Sequence, residues 1–153
     1  DQSMRETAVR LKMNTIRPNI EGHKLILVDD SIVRGTTSRR IVNMVRKAGA
    51  KEVHVRIGSP PILAPCYLGI DMASRDELIA AHKTVAGVEA VIEADSLGYV
   101  SHEGLVDAVG IPKENLCMGC LTGLYPVEIP GEKCLAEQTR LSEYILDTTE
   151  ERD

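Results

Sequence analysis

The 153 residues are 43% apolar and 27% charged, with a formal charge of −5 and a pI near 5.4, the composition of one ordinary globular domain with a real core. That acidic balance argues against a chain-wide nucleic-acid or anionic-membrane surface. No apolar run is long enough to cross a bilayer and no signal peptide is visible, so a cytoplasmic protein is expected. Trp and Phe are absent, which leaves the core to aliphatic side chains.

Residues 1–14 are polar and charged, and are expected to be mobile or to form a short helix around Glu6 to Lys12. Pro18, Asn19 and Gly22 mark a turn. Lys24 to Val28 is a continuous apolar run, the pattern of a strand buried on both faces. Thr37 to Ala48 reads as a helix: Ile41, Val42, Val45 and Ala48 share a face, and Gly49 suits its end. Glu52 to Ile57 alternates and is β-branched, the next strand. Strand, helix and strand within about thirty residues make a βαβ unit, and a parallel sheet follows by default. Residues 58–65 carry three prolines and form a loop. Ser74 and Glu77 form an S-x-x-E capping box opening a helix through Ala81. A helix over 88–94, a strand over 97–100 and a helix over 101–109, stopped by Gly110 and Pro112, complete an α/β pattern. Residues 115–132 look irregular, and 135–146 read as a final helix with an acidic end.

The chemistry concentrates in LILVDDSIVRGTTSRR, residues 25–40. Ligands of open α/β sheets sit beyond the carboxyl ends of the strands, where Asp29 and Asp30 fall. The loop Ser31 to Thr37 then leads into a helix N-terminus, whose outward N–H groups and dipole favour an anion. Gly35 permits close backbone approach. Ser31, Thr36 and Thr37 add hydroxyls, and Arg34, Arg39 and Arg40 add local positive charge. The carboxylates ask instead for hydroxyl donors or a divalent cation. A sugar phosphate has both kinds of group. The plainer reading is a strand-end Asp and a helix-capping Thr, which are common in such proteins.

Of the four cysteines, Cys66, Cys117, Cys120 and Cys134, the pair Cys117 and Cys120 forms a CxxC. By spacing alone it is half a zinc site, a redox pair or simply two buried thiols. His23, His54, His82 and His102 show no ligand spacing with the cysteines and receive no role.

The string VDDSIVRGTTSRRIV resembles the phosphoribosylpyrophosphate (PRPP) fingerprint of type I phosphoribosyltransferases, and its wording is similar to the amidophosphoribosyltransferase family (glutamine PRPP amidotransferases). VRLKMN, GAKEVHVRIGSPPILAPCYLGID and LTGLYP occur in family order, so the resemblance runs from about Arg5 to Glu128. It implies a parallel-sheet, type I phosphoribosyltransferase-like α/β fold over residues 1–112, as the C-terminal part of that domain, followed by an irregular Cys-containing and helical segment over 113–153. It implies an enzyme that binds PRPP and Mg²⁺ and displaces pyrophosphate with glutamine-derived ammonia to give 5-phosphoribosylamine, the first step of purine synthesis. Asp29 and Asp30 would hold the ribose hydroxyls and Mg²⁺. Ser31, Val33, Arg34, Gly35, Thr36 and Thr37 would grip the 5-phosphate. Arg5, Arg10 and Lys12 would belong to a closing loop, with Lys12 on PRPP; a solvated basic face is the alternative. Cys66, Cys117 and Cys120 would be three ligands of a [4Fe–4S] cluster, the fourth lying upstream of Asp1, with Cys134 a bystander.

The chain begins at Asp1 rather than Met, and nothing in it resembles the family's glutaminase domain or pyrophosphate loop. A fragment with little or no activity of its own is therefore expected. The family usually forms homotetramers inhibited by nucleotides. Neither nucleic acid nor membrane is expected as a partner. The alternatives are a salvage phosphoribosyltransferase, a non-enzymatic PRPP sensor, and a metal-binding module whose aspartates are only caps.

Overall fold

The computed structural model describes residues 15–72 and 74–130. Three strands, β1 (Lys24–Asp29), β2 (Glu52–Ile57) and β3 (Ser96–Tyr99), form one sheet in the order β1-β2-β3. Both pairings are parallel and in register, so Asp29, Ile57 and Tyr99 end the three strands side by side. The expected α/β class and parallel sheet are those observed.

Helix α1 (Thr36–Lys47) crosses from β1 to β2 and buries Ser38, Val42 and Val45. Helices α2 (Ile79–His82) and α3 (Val85–Ile92) precede β3, and α4 (His102–Val109) follows it. A last short helix, α5 (Gly119–Thr122), carries the second CxxC cysteine. Ile32, Val42, Val45, Val53, Val55, Ile57, Val88, Ile92 and Leu97 form the main core between sheet and helices. A smaller cluster, Ile62, Leu78, Met118 and Leu121, packs with Val33, Leu105 and Val106 and roots the cysteine region.

Two expectations need correction. β1 is not buried on both faces: its burial alternates, leaving Ile26 and Val28 exposed at 68% and 79%. The apolar run carried no period, and only the neighbours of β1 decide which side is covered. The capping box also fails to open a helix. The Ser74 hydroxyl bonds the Glu77 carboxylate at 3.4 Å rather than a backbone N–H. A 3-10 turn (Arg75–Glu77) follows, and Leu78, extended at ψ 107°, separates it from α2.

The helix expected over 88–94 starts three residues earlier. Thr84 caps it by accepting from the Gly87 N–H at 3.2 Å. It ends at Glu93, which takes a left-handed conformation at φ 61°. Ser101 caps α4 in the same way, from the Gly104 N–H at 3.0 Å. The expectations for residues 1–14 and for a helix over 135–146 lie outside the described residues.

Candidate anion pocket and cysteine cluster

β1 runs out at Asp29 and the chain turns sharply through 30–35. Asp29 Oδ1 accepts from the Asp30 N–H at 3.0 Å, and the Ser31 hydroxyl donates to Asp30 Oδ1 at 3.0 Å. These bonds hold the two carboxylates at the mouth of a cavity of about 290 Å³ lined by residues 29–38. Ile32, 2% exposed, pins the loop into the main core. Val33 pins its other side, accepting from the Ile79 N–H at 2.9 Å.

Gly35 is required twice over. It takes φ +75° at the N-cap of α1, and a Cβ there would sit 3.0 Å from Ile79 Cδ1 and 3.5 Å from Ile92 Cγ2. The first turn of α1 carries no acidic residue and no side-chain cap. Its leading N–H groups therefore face the cavity without a carboxylate to compete, the arrangement that receives a phosphate. Thr36 and Thr37 stand exposed on that turn, and Ser38 is buried behind it.

Every described residue expected at the PRPP site lines this one cavity: Asp29, Asp30, Ser31, Val33, Arg34, Gly35, Thr36 and Thr37. Arg34 also pairs with Glu77 at 2.9 Å, and this guanidinium first of all holds the Glu77 carboxyl below its ordinary range. Sequence reading missed Glu77 as a partner because the two lie 43 positions apart. Arg39, expected to add local charge, is instead bonded through its Nε and guanidinium to Glu93, so its charge is largely spent on α3. Arg40 lies outside this cavity, on a broader groove beside α1. Lys12 lies outside the described residues, as do Arg5, Arg10 and Cys134.

Distant segments bring the cysteines together. The N–H groups of Leu63 and Ala64 both bond the Cys120 carbonyl, at 2.9 and 3.0 Å. The Tyr125 hydroxyl donates to the Pro65 carbonyl at 2.6 Å. The rings of Tyr67 and Tyr125 meet edge to face with centroids 5.2 Å apart. Burial first, then the charges of Cys66 and Cys117, push the Cys120 thiol up. The Cys66 thiol moves the other way: the N–H groups of Ile70, then Leu68 and Gly69, favour its thiolate. Cys66, Cys117 and Cys120 are free thiols. No group of three His, Cys, Asp or Glu side chains among the described residues is gathered tightly enough for a single metal ion. Among the described residues none of the histidines gathers with the cysteines; His54 bonds Ser96 and Glu52 on the sheet.

No family model matches the chain. Curated relatives do. Amidophosphoribosyltransferase of Archaeoglobus fulgidus is 62% identical over 135 residues, 87% of this chain and 30% of the relative. That of Methanocaldococcus jannaschii is 58% identical over 137 residues, 90% and 29%. The chain is homologous to a segment of amidophosphoribosyltransferase. A solved glutamine PRPP amidotransferase from Bacillus subtilis, complexed with ADP and GMP, superposes with a TM-score of 0.75 at 46% identity, over 88% of this chain and 30% of that one. The chain thus spans about 30% of the length of the amidophosphoribosyltransferases it matches. Among the described residues no helix is long and apolar enough to cross a membrane.

Proposed function

We propose that this chain supplies the ribose-phosphate half of an amidophosphoribosyltransferase site, the activity that displaces pyrophosphate from PRPP with glutamine-derived ammonia at the start of purine synthesis. One observation carries the reading: adjacent carboxylates at the end of β1 open directly onto an α1 N-terminus with no acid or cap of its own. The N–H groups and the hydroxyls of Thr36 and Thr37 receive the 5-phosphate. Asp29 and Asp30 accept from the ribose hydroxyls. Both are oxygen donors at least partly open to solvent, which suits Mg²⁺; they would hold it, and when bound it offsets phosphate charge. The reaction passes through a developing cation at the anomeric carbon, so these residues would act by positioning the sugar and balancing charge, without a nucleophile. Glutamine hydrolysis and the pyrophosphate grip belong to polypeptide this chain does not span. A salvage enzyme or PRPP sensor would share the pocket, but neither accounts for 62% identity to amidophosphoribosyltransferase.

The test is calorimetric titration of PRPP with Mg²⁺ into the chain. Asp29→Asn or Asp30→Asn should weaken binding at least about tenfold, the equivalent of one charge-assisted hydrogen bond. Binding indifferent to both substitutions would leave the aspartates as mere caps.

We further infer that Cys66, Cys117 and Cys120 serve a [4Fe–4S] cluster with one ligand from elsewhere. The hydrogen bonds that fasten residues 63 and 64 to Cys120, the charges of Cys66 and Cys117 felt at Cys120, and the N–H donors around Cys66 support this. A cluster of several irons is wider than one ion, so it accepts thiols too far apart for zinc. When bound it ties the loop 62–70 to α5.

A further inference from the structure

We propose that Glu77 is a positioning residue for the anion cavity: it holds the Arg34 guanidinium away from Asp29 and Asp30, so that both carboxylates stay open to the ribose. The inference deepens the reading of this cavity as the ribose-phosphate site and rests on it. Among the described residues Arg34 supplies the positive charge in the cavity wall, which it shares with Asp29 and Asp30 around a space of about 290 Å³. An arginine side chain is long and flexible, and a carboxylate in the same small space is its natural partner. Left to itself the guanidinium would settle on an aspartate and close the sugar side of the site. Instead Arg34 pairs through Nη2 with Glu77 Oε1 at 2.9 Å. The aspartates accept from the Asp30 N–H and the Ser31 hydroxyl.

The chain around Glu77 is built to keep that pair in one place. Its other oxygen, Oε2, accepts from the Ser74 hydroxyl at 3.4 Å. The turn that carries it is closed by the Glu77 N–H on the Ser74 carbonyl at 2.9 Å and the Leu78 N–H on the Arg75 carbonyl at 3.0 Å. Leu78 is fully buried and packs with Ile62, Met118 and Leu121. One residue further on, the Ile79 N–H bonds the Val33 carbonyl at 2.9 Å. Val33 and Arg34 are thus tied to Ile79 and Glu77 by a backbone bond and an ion pair side by side. The core therefore places the guanidinium, and its fork has further N–H groups to offer a phosphate.

Arg34 and Glu77 are 54% and 47% exposed, and pairs so exposed add little to stability. The effect of this one is on where the charge lies.

Calorimetric titration of PRPP with Mg²⁺ into the chain and its variants tests this. Glu77→Gln should weaken binding by about threefold to fivefold, as much as a half-exposed pair transmits, with the thermal midpoint unchanged. In an Arg34→Gln background the same substitution should have no further effect, because no guanidinium is left to misplace. Glu77→Asp keeps the charge and should bind between the two. Unchanged binding in Glu77→Gln, an equal loss in both backgrounds, or a loss that comes with a lowered midpoint would overturn the proposal. Failure of PRPP to bind the unsubstituted chain would remove the functional reading, and solvent exchange of the Arg34 Nε–H then decides the pairing without ligand. Replacing Asp29 and Asp30 by Asn should leave that exchange unchanged in the native chain and speed it in Glu77→Gln. No acceleration in Glu77→Gln would show that Glu77 does not keep Arg34 from the aspartates.

Discussion

Gly35 shows how one position can serve backbone and packing together. Its positive φ is closed to most side chains, and its missing Cβ makes room for Ile79 and Ile92. Gly35→Ala is expected to lower stability by about 1–3 kcal/mol, the cost of a left-handed non-glycine residue, with the clash on Ile79 in addition. Gly22 has φ +78° but nothing within 4 Å of an added Cβ. Gly22→Ala should therefore cost less. Thermal unfolding of the two variants separates strain from crowding, and equal losses would show that the Ile79 contact does not matter. The pocket residues themselves were legible because the acids, hydroxyls and glycine are consecutive in the chain. The Arg34–Glu77 pair was not, since nothing in the sequence marks two surface residues as neighbours across a fold.

At the scale of elements, Asp95 joins α1 to the sheet. Its Oδ2 accepts from the Val53 N–H at 2.6 Å and from Arg46 at 2.8 Å. The Val53 N–H, and after it Arg46, hold the Asp95 carboxyl below its ordinary range. A carboxylate depressed on folding stabilises the native state above its unfolded pKa, and that contribution is lost as pH falls through the folded value. Stability should drop in the acid range at and below the usual aspartate pKa, and Asp95→Asn should flatten that drop. The pair is about one-third exposed, so the substitution should cost about 1 kcal/mol or less at neutral pH. Urea titrations of both proteins across pH check the sign. The cap of α3 gives a second test: Thr84→Ala should remove about 1 kcal/mol, the typical cost of an N-cap, by denaturant midpoint. The apolar pattern alone starts this helix at Val88, and the Thr84 cap sets its true start at Val85.

At the scale of the molecule, the cysteine region depends on contacts between loops far apart in sequence. If the cluster reading holds, protein isolated without oxygen from its own cells should be brown and carry iron and sulfide. Cys66→Ser should then release both and loosen the loop 62–70. A colourless, zinc-containing preparation would point to a different site.

The sequence by itself determined the strand and helix order and the residues that line the pocket, because these rest on local period and on consecutive residues. It also carried the resemblance that the relatives bear out. Which face of β1 lies open, where Arg34 and Arg39 spend their charge, and how Cys66 reaches Cys120 were decided only by the tertiary structure. Each depends on what the fold sets beside a residue, and a continuous apolar run or a lone guanidinium reads the same in any surroundings.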